Sequence, residues 1–120
     1  MKNNYPNVKF KGEHFQKILE GKKTQTMRTP PGRWEVNKDD IVVANFTERP
    51  EKLLLQITKS SYKNFGSIND DDAKREGYKN AAELKHALEE IYTEYTLREY
   101  NRLYYYQFEV IGELDIKVGE

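Results

Sequence analysis

Apolar positions alternate with a period of two in some stretches of the chain and recur at helical spacing in others. Val8 and Phe10 mark a short extended start. Phe15, Ile18 and Leu19 form one narrow apolar stripe over residues 13–20, and Gly21 is a natural helix stop. Such a helix must lie on a larger core. Residues 24–28 carry β-branched side chains at alternate positions and predict a strand. Two prolines and a glycine at 30–32 make 29–35 an exposed loop. A turn at 37–40 leads to a strand at 41–46. A second turn at 48–51 leads to a longer strand at 53–59, continuing toward Tyr62. Residues 67–76 predict a short helix ended by Gly77. Asn80, with Glu83 three residues on, opens another helix whose apolar face is Leu84, Leu88, Ile91 and Tyr95. The clearest strand is 103–111. Tyr104, Tyr106, Phe108 and Val110 fall on one side, and Tyr105, Gln107 and Glu109 on the other. A weak strand or tail is expected at 114–118. The pattern predicts an α+β fold in which one domain, residues 1–120, forms a small curled sheet or β-barrel with helices packed across its ends. Strands and helices do not alternate regularly, so a doubly wound parallel sheet is disfavoured.

Composition narrows the function classes. The chain has 120 residues, enough for one core, and its 12% aromatic content is too high for a solvating disordered chain. It has no Cys and two His, which excludes disulfides, thiolate sites and Cys nucleophiles and argues against a resident metal. No cofactor motif is present. No apolar run approaches a membrane span, and the N-terminus has no apolar stretch after Lys2, so a soluble, cytoplasmic protein is expected. The net charge of zero hides an asymmetry. Residues 1–38 carry nine Lys or Arg and three Glu; residues 39–120 carry eleven and seventeen Asp or Glu. Either the fold gathers a local basic patch for a phosphate or other anion, or it interleaves the halves and cancels the fields.

The densest chemistry lies in 21–28, Gly-Lys-Lys-Thr-Gln-Thr-Met-Arg. Thr24, Thr26 and Arg28 share a strand face, and Lys23 sits at the mouth of the turn, able to lean over Thr26. As a binding site, Lys22, Thr24 and Arg28 hold a phosphate or carboxylate, with the guanidinium as a bidentate fork. As a catalytic site, a deprotonated Lys23 takes the proton of Thr26 and makes it a nucleophile. The same residues also suit a solvated basic turn.

Other candidates are weaker. Glu76 ends a short helix, where the dipole disfavours negative charge and favours a carboxyl that keeps its proton. Arg33 and Trp34 in the Pro/Gly loop either stack a base and hold a phosphate or, for Trp34, plug one end of the barrel. Among Tyr104–Tyr106, the alternation assigns Tyr104 and Tyr106 to the core and leaves Tyr105 free for stacking. Asp70, Asp71 and Asp72 lack calcium-loop spacing and read as acids at a helix start. His14 and His86 read as surface residues.

The order of these features resembles an ASCH domain of the PUA-like superfamily. The segment 21–28 fits that family's Gly-x-Lys-x-x-Thr-x-Arg pattern. Asn37-Lys38-Asp39-Asp40-Ile41-Val42 matches its turn into a strand, with Asp39 where Gly is common. Segments 73–78, 82–84 and 91–92 resemble its helical insertion, and 103–111 its closing strand. The resemblance implies a PUA-like β-barrel and a cleft for RNA or a modified nucleoside beside the first motif. Some small bacterial members are amidohydrolases acting on N(4)-acetylcytidine, with a Lys proton acceptor, a Thr nucleophile and a Glu proton donor. By motif position these roles fall on Lys23, Thr26 and Glu76; the ligand contacts expected from residue chemistry are Lys22, Thr24, Arg28, Arg33 and Trp34. The alternative is a non-catalytic RNA-binding module using the same cleft.

Overall fold

The computed structural model describes residues 5–93 and 96–114. Five strands, β1 (Asn7–Phe10), β2 (Gln25–Arg28), β3 (Ile41–Phe46), β4 (Lys52–Asn64) and β5 (Arg102–Leu114), form one mixed sheet in the order β1-β3-β4-β5-β2. β1 runs parallel to β3, and the other neighbours are antiparallel. Three helices, α1 (Phe15–Leu19), α2 (Asp70–Glu76) and α3 (Ala81–Ile91), complete the fold.

The strand patterns bury both faces of the sheet. On the inner face Phe10, Val42, Ala44, Leu53, Leu55, Ile57, Tyr106 and Phe108 pack with Phe15 and Ile18 of α1. On the outer face Met27, Leu103 and Tyr105 pack with Ala73 of α2 and Leu84 and Leu88 of α3. The expected closed barrel is not formed. β1 and β2 are both edge strands, so the ladder stops on either side of a gap. The two edges approach there through a side chain: Arg28 Nη2 of β2 donates to Lys9 O of β1 at 3.0 Å. Nor do all the helices cross the ends, since α2 and α3 cover the outer face beside β2.

Local chemistry explains the element boundaries. Gly21 (φ 76°) and Gly77 (φ 91°) adopt the left-handed conformation that stops α1 and α2 at little cost. Asn69 caps α2 by accepting from Asp72 N, while the Asp72 carboxylate accepts from Asn69 N, a reciprocal capping box. Asn80 accepts from Glu83 N at the start of α3, as its sequence predicts. The expected helix at 13–20 is shorter, with a 3-10 turn at Gly12–His14 before α1.

β4 is longer than its apolar pattern implies. A register shift between Ile57 and Lys59 places Ser60 opposite Tyr106 and Tyr62 opposite Tyr104. The bulge therefore carries the strand past the core and re-aims its residues. Tyr105 is no free stacking residue, being buried beneath the outer helices with Lys59 and Lys63 over its ring. Tyr95 and most of the expected strand 114–118 lie outside the described residues.

Candidate functional site

A cavity of about 260 Å³ opens in the gap between β1 and β2. Its walls come from β1, β2, the end of α2, the following Tyr78, and α3. The volume is near the lower end for small-molecule pockets, which run from roughly 300 Å³ upward.

Two glycine stops bring its central pair together. Gly21 turns the chain out of α1, with Lys22 N and Lys23 N both donating to Lys17 O. Thr24 N then donates to Arg75 O at 2.7 Å, which ties the start of β2 to the last turn of α2. Lys23 and Glu76 are thereby apposed across 53 positions of sequence. Lys23 Nζ donates to Glu76 Oε1 at 3.0 Å and to Gln25 O at 2.9 Å, and both side chains are 5% exposed. Burial pushes the Glu76 carboxyl above its ordinary range, opposed by the Lys23 charge. Glu76 Oε2 is buried with no hydrogen-bond partner among the described residues.

Thr26 is buried and lines the same cavity, on β2 opposite Tyr106. Arg28 also lines it, with Phe10 at 5.5 Å and Trp34 at 5.2 Å from guanidinium carbon to ring centroid. Burial lowers its pKa, and the aromatic faces supply cation–π attraction in place of part of its hydration. Arg28 Nε is buried and unpartnered among the described residues.

The other four predicted contacts lie elsewhere. Lys22 is exposed and ion-paired with Glu20 at 3.4 Å. Thr24 faces a separate recess with Ile18, Phe108 and Glu109. Arg33 is exposed and donates to the Tyr104 hydroxyl at 3.1 Å. Trp34 does not line the cavity. It stacks on Tyr106 (centroids 4.8 Å apart, planes at 18°), which donates to Trp34 O and accepts from Trp34 N. This is the plug arrangement, with Trp34 supporting Arg28 from behind.

Sequence reasoning missed His14, Tyr78 and Tyr92, which all line the cavity. His14 is not a surface residue. It is half-buried, and desolvation, with the nearby Lys23 charge, lowers its pKa from 6.5 to about 4. Its only sequence signal is its place seven residues ahead of the motif. Tyr92 donates from its hydroxyl to Met27 O at 3.3 Å. The charge question is settled locally, because four cations line the cavity (Lys9, Lys11, Lys23 and Arg28) against one carboxylate, Glu76.

Behind the site, Gln25 Nε2 donates to Asp72 Oδ1 and Gln107 Nε2 to Gln25 Oε1, while Lys63 Nζ binds Asp72 Oδ2 at 2.7 Å. This network fixes α2 against β2 and β5, and so positions Glu76. Among the described residues no group of three or more His, Asp or Glu could hold a metal ion, and no helix is long and apolar enough to cross a membrane.

The fold is shared with a solved ASCH domain and with a solved protein of the DUF984 family. An ASCH domain from Lactobacillus crispatus superposes with a TM-score of 0.75 at 17% identity, over 90% of this chain and 80% of that one. A protein of the DUF984 family from Enterococcus faecalis superposes with a TM-score of 0.77 at 14% identity, over 94% and 80%. No family model matches the sequence. No curated protein matches it either.

Proposed function

We propose that the cleft binds a modified nucleoside and hydrolyses its acyl amide, with N(4)-acetylcytidine as the representative substrate. The observation that carries this reading is the buried Lys23–Glu76 pair in the same cavity as Thr26. Moving one proton from Lys23 Nζ to Glu76 gives a neutral amine and a neutral acid, the pair that the reaction requires. Burial favours that shift on the carboxyl side.

In the first step Lys23 Nζ takes the proton of Thr26 Oγ1, and the oxygen attacks the acyl carbon. The carbon–N4 bond breaks, and Glu76 gives its proton to the leaving amine. The products are cytidine and an acetyl ester on Thr26, with Lys23 and Glu76 again charged. A water then loses a proton to Glu76 and attacks the ester, and Lys23 returns a proton to Thr26. Acetic acid leaves and gives its proton to solvent as acetate, and both neutral groups are restored. Arg28, held by Phe10, Trp34 and Lys9 O, is suited to an electron-rich oxygen of the substrate.

Steady-state kinetics on purified variants test the assignment. Thr26→Ala and Lys23→Arg should each lower kcat by at least roughly a hundredfold, the scale of general acid–base catalysis. A guanidinium stays charged and cannot serve as the base. Arg28→Glu should act chiefly on KM. Unchanged kcat in Thr26→Ala would remove the nucleophile. A second reading, a non-catalytic RNA-binding cleft, draws on the four cations against one carboxylate. It predicts binding of RNA without acetate release.

A further inference from the structure

The inner face of the sheet continues beyond its core. Past the bulge in β4, Tyr62 stands directly opposite Tyr104, with ring centroids 6.1 Å apart. Tyr62 is 54% exposed, although it is a large aromatic on a sheet face. An arginine lies against each ring. The Arg102 guanidinium carbon is 4.1 Å from the Tyr62 centroid, and that of Arg33 is 5.2 Å from the Tyr104 centroid. Neither arginine forms an ion pair among the described residues, whereas exposed Arg49 is satisfied by Glu51. The patch thus presents π-faces and uncompensated guanidinium charge together. It is also continuous with the cleft: Arg28 lies over Trp34, Trp34 stacks on Tyr106, and Tyr104 is two residues along the same strand.

Cross-strand aromatic pairs do stabilise sheet ends. That role explains the rings but not two arginines without carboxylate partners among the described residues. We infer that Tyr62, Tyr104, Arg33 and Arg102 form a second binding surface, which takes the bases and phosphates of single-stranded RNA. Bases stack on exposed aromatic rings regardless of sequence, and guanidinium groups hold the adjoining phosphates. The placement of one nucleotide of that strand in the cleft rests on the function proposed above; the surface itself stands on its own geometry. The substrate would then be a modified cytidine within an RNA strand, with flanking nucleotides held on the platform.

Fluorescence anisotropy with a labelled single-stranded oligouridylate of roughly 12 nucleotides, within the usual site range, tests this. Tyr62→Ala should weaken binding about tenfold, while Tyr62→Phe, which keeps the ring, should bind like wild type. The double variant Arg33→Gln/Arg102→Gln should make the plot of log K against log salt shallower by about 1.4, for two lost single-strand phosphate contacts. Acetate release from free N(4)-acetylcytidine should be unchanged in Tyr62→Ala. Wild-type affinity and wild-type salt slope in the folded variants overturn the platform, even if the nucleoside is hydrolysed. An absence of oligonucleotide binding by wild type overturns it as well and points to a protein partner for this face. Weakened oligonucleotide binding in a protein that hydrolyses no nucleoside upholds the platform and rejects the proposed chemistry.

Discussion

Removing one member of the Lys23–Glu76 pair should harm the fold more than removing both. At 3.0 Å and an effective dielectric of about 20, the two charges attract by roughly 5 kcal/mol. Each was taken out of water to reach its site, so most of that attraction offsets desolvation. In Glu76→Leu the Lys23 ammonium stays buried with Gln25 O and no counter-ion, and we expect a loss of about 3–5 kcal/mol. Lys23→Met should cost less at low pH, because Glu76 can escape by keeping its proton. The sign follows from linkage. Burial raises the folded pKa of Glu76 above its unfolded value, so between the two values the folded state holds the extra proton. Stability of Lys23→Met should therefore fall as pH rises through that window. The double variant Lys23→Met/Glu76→Leu should recover most of the loss, since apolar replacement of a buried pair is often neutral. Urea unfolding followed by Trp34 fluorescence gives all four corners of the cycle. A coupling energy of about 3 kcal/mol or more is expected. A value below about 1 kcal/mol, that of an exposed pair, would refute the claim that both charges are desolvated.

Four further outcomes follow from other parts of the molecule. Nuclear magnetic resonance titration should place the folded His14 pKa near 4 rather than 6.5, and since the unfolded chain then holds the extra proton, wild-type stability relative to His14→Gln should fall from pH 6.5 to pH 4 by at most ~3 kcal/mol. Gly77→Ala places a Cβ at φ 91° and should cost about 1–2 kcal/mol in urea unfolding; a neutral effect would show that α2 ends differently. Leu84→Ala, at a residue 1% exposed that also lines the cavity, should cost roughly 2–4 kcal/mol; a loss under 1 kcal/mol would mean that α3 is not packed on the sheet. Asp72→Asn weakens the contacts to Lys63 and Gln25 and should lower kcat through a displaced Glu76, with a shifted pH profile as the readout that simple destabilisation would not produce.

Much of this was legible in local pattern. The Gly21 and Gly77 stops, the Asn80 cap and the strand at Ile41–Phe46 follow from short-range rules, and the structure has them. Motif order also brought Lys23, Thr26, Arg28 and Glu76 into one reading, and all four line the same cavity. What stayed hidden depends on tertiary placement. Alternation along β5 correctly separates Tyr105 from Tyr104 and Tyr106, but it does not reveal that two helices cover the outer face and bury Tyr105. The β4 bulge, which turns Tyr62 toward Tyr104, leaves no apolar signature because the residues that follow Ile57, Thr58 to Ser61, are all polar. His14 reads as a surface residue on a charged helix, and only the approach of Lys23 and the cavity makes it half-buried. The open gap between β1 and β2 is likewise a property of strand order, which no single segment encodes.

The central claim is that Thr26, in the same cavity as the Lys23–Glu76 pair, carries acyl transfer, and one measurement addresses it directly. Proton nuclear magnetic resonance would follow acetate in mixtures of N(4)-acetylcytidine with wild type, Thr26→Ala and Thr24→Ala. Thr24 faces a different recess and serves as the control hydroxyl. Wild type and Thr24→Ala should release acetate and cytidine in equal amounts, and folded Thr26→Ala should release neither. If wild type releases no acetate from this nucleoside or from related N-acylated cytidines, or if Thr26→Ala releases it as fast as wild type, the catalytic account is contradicted.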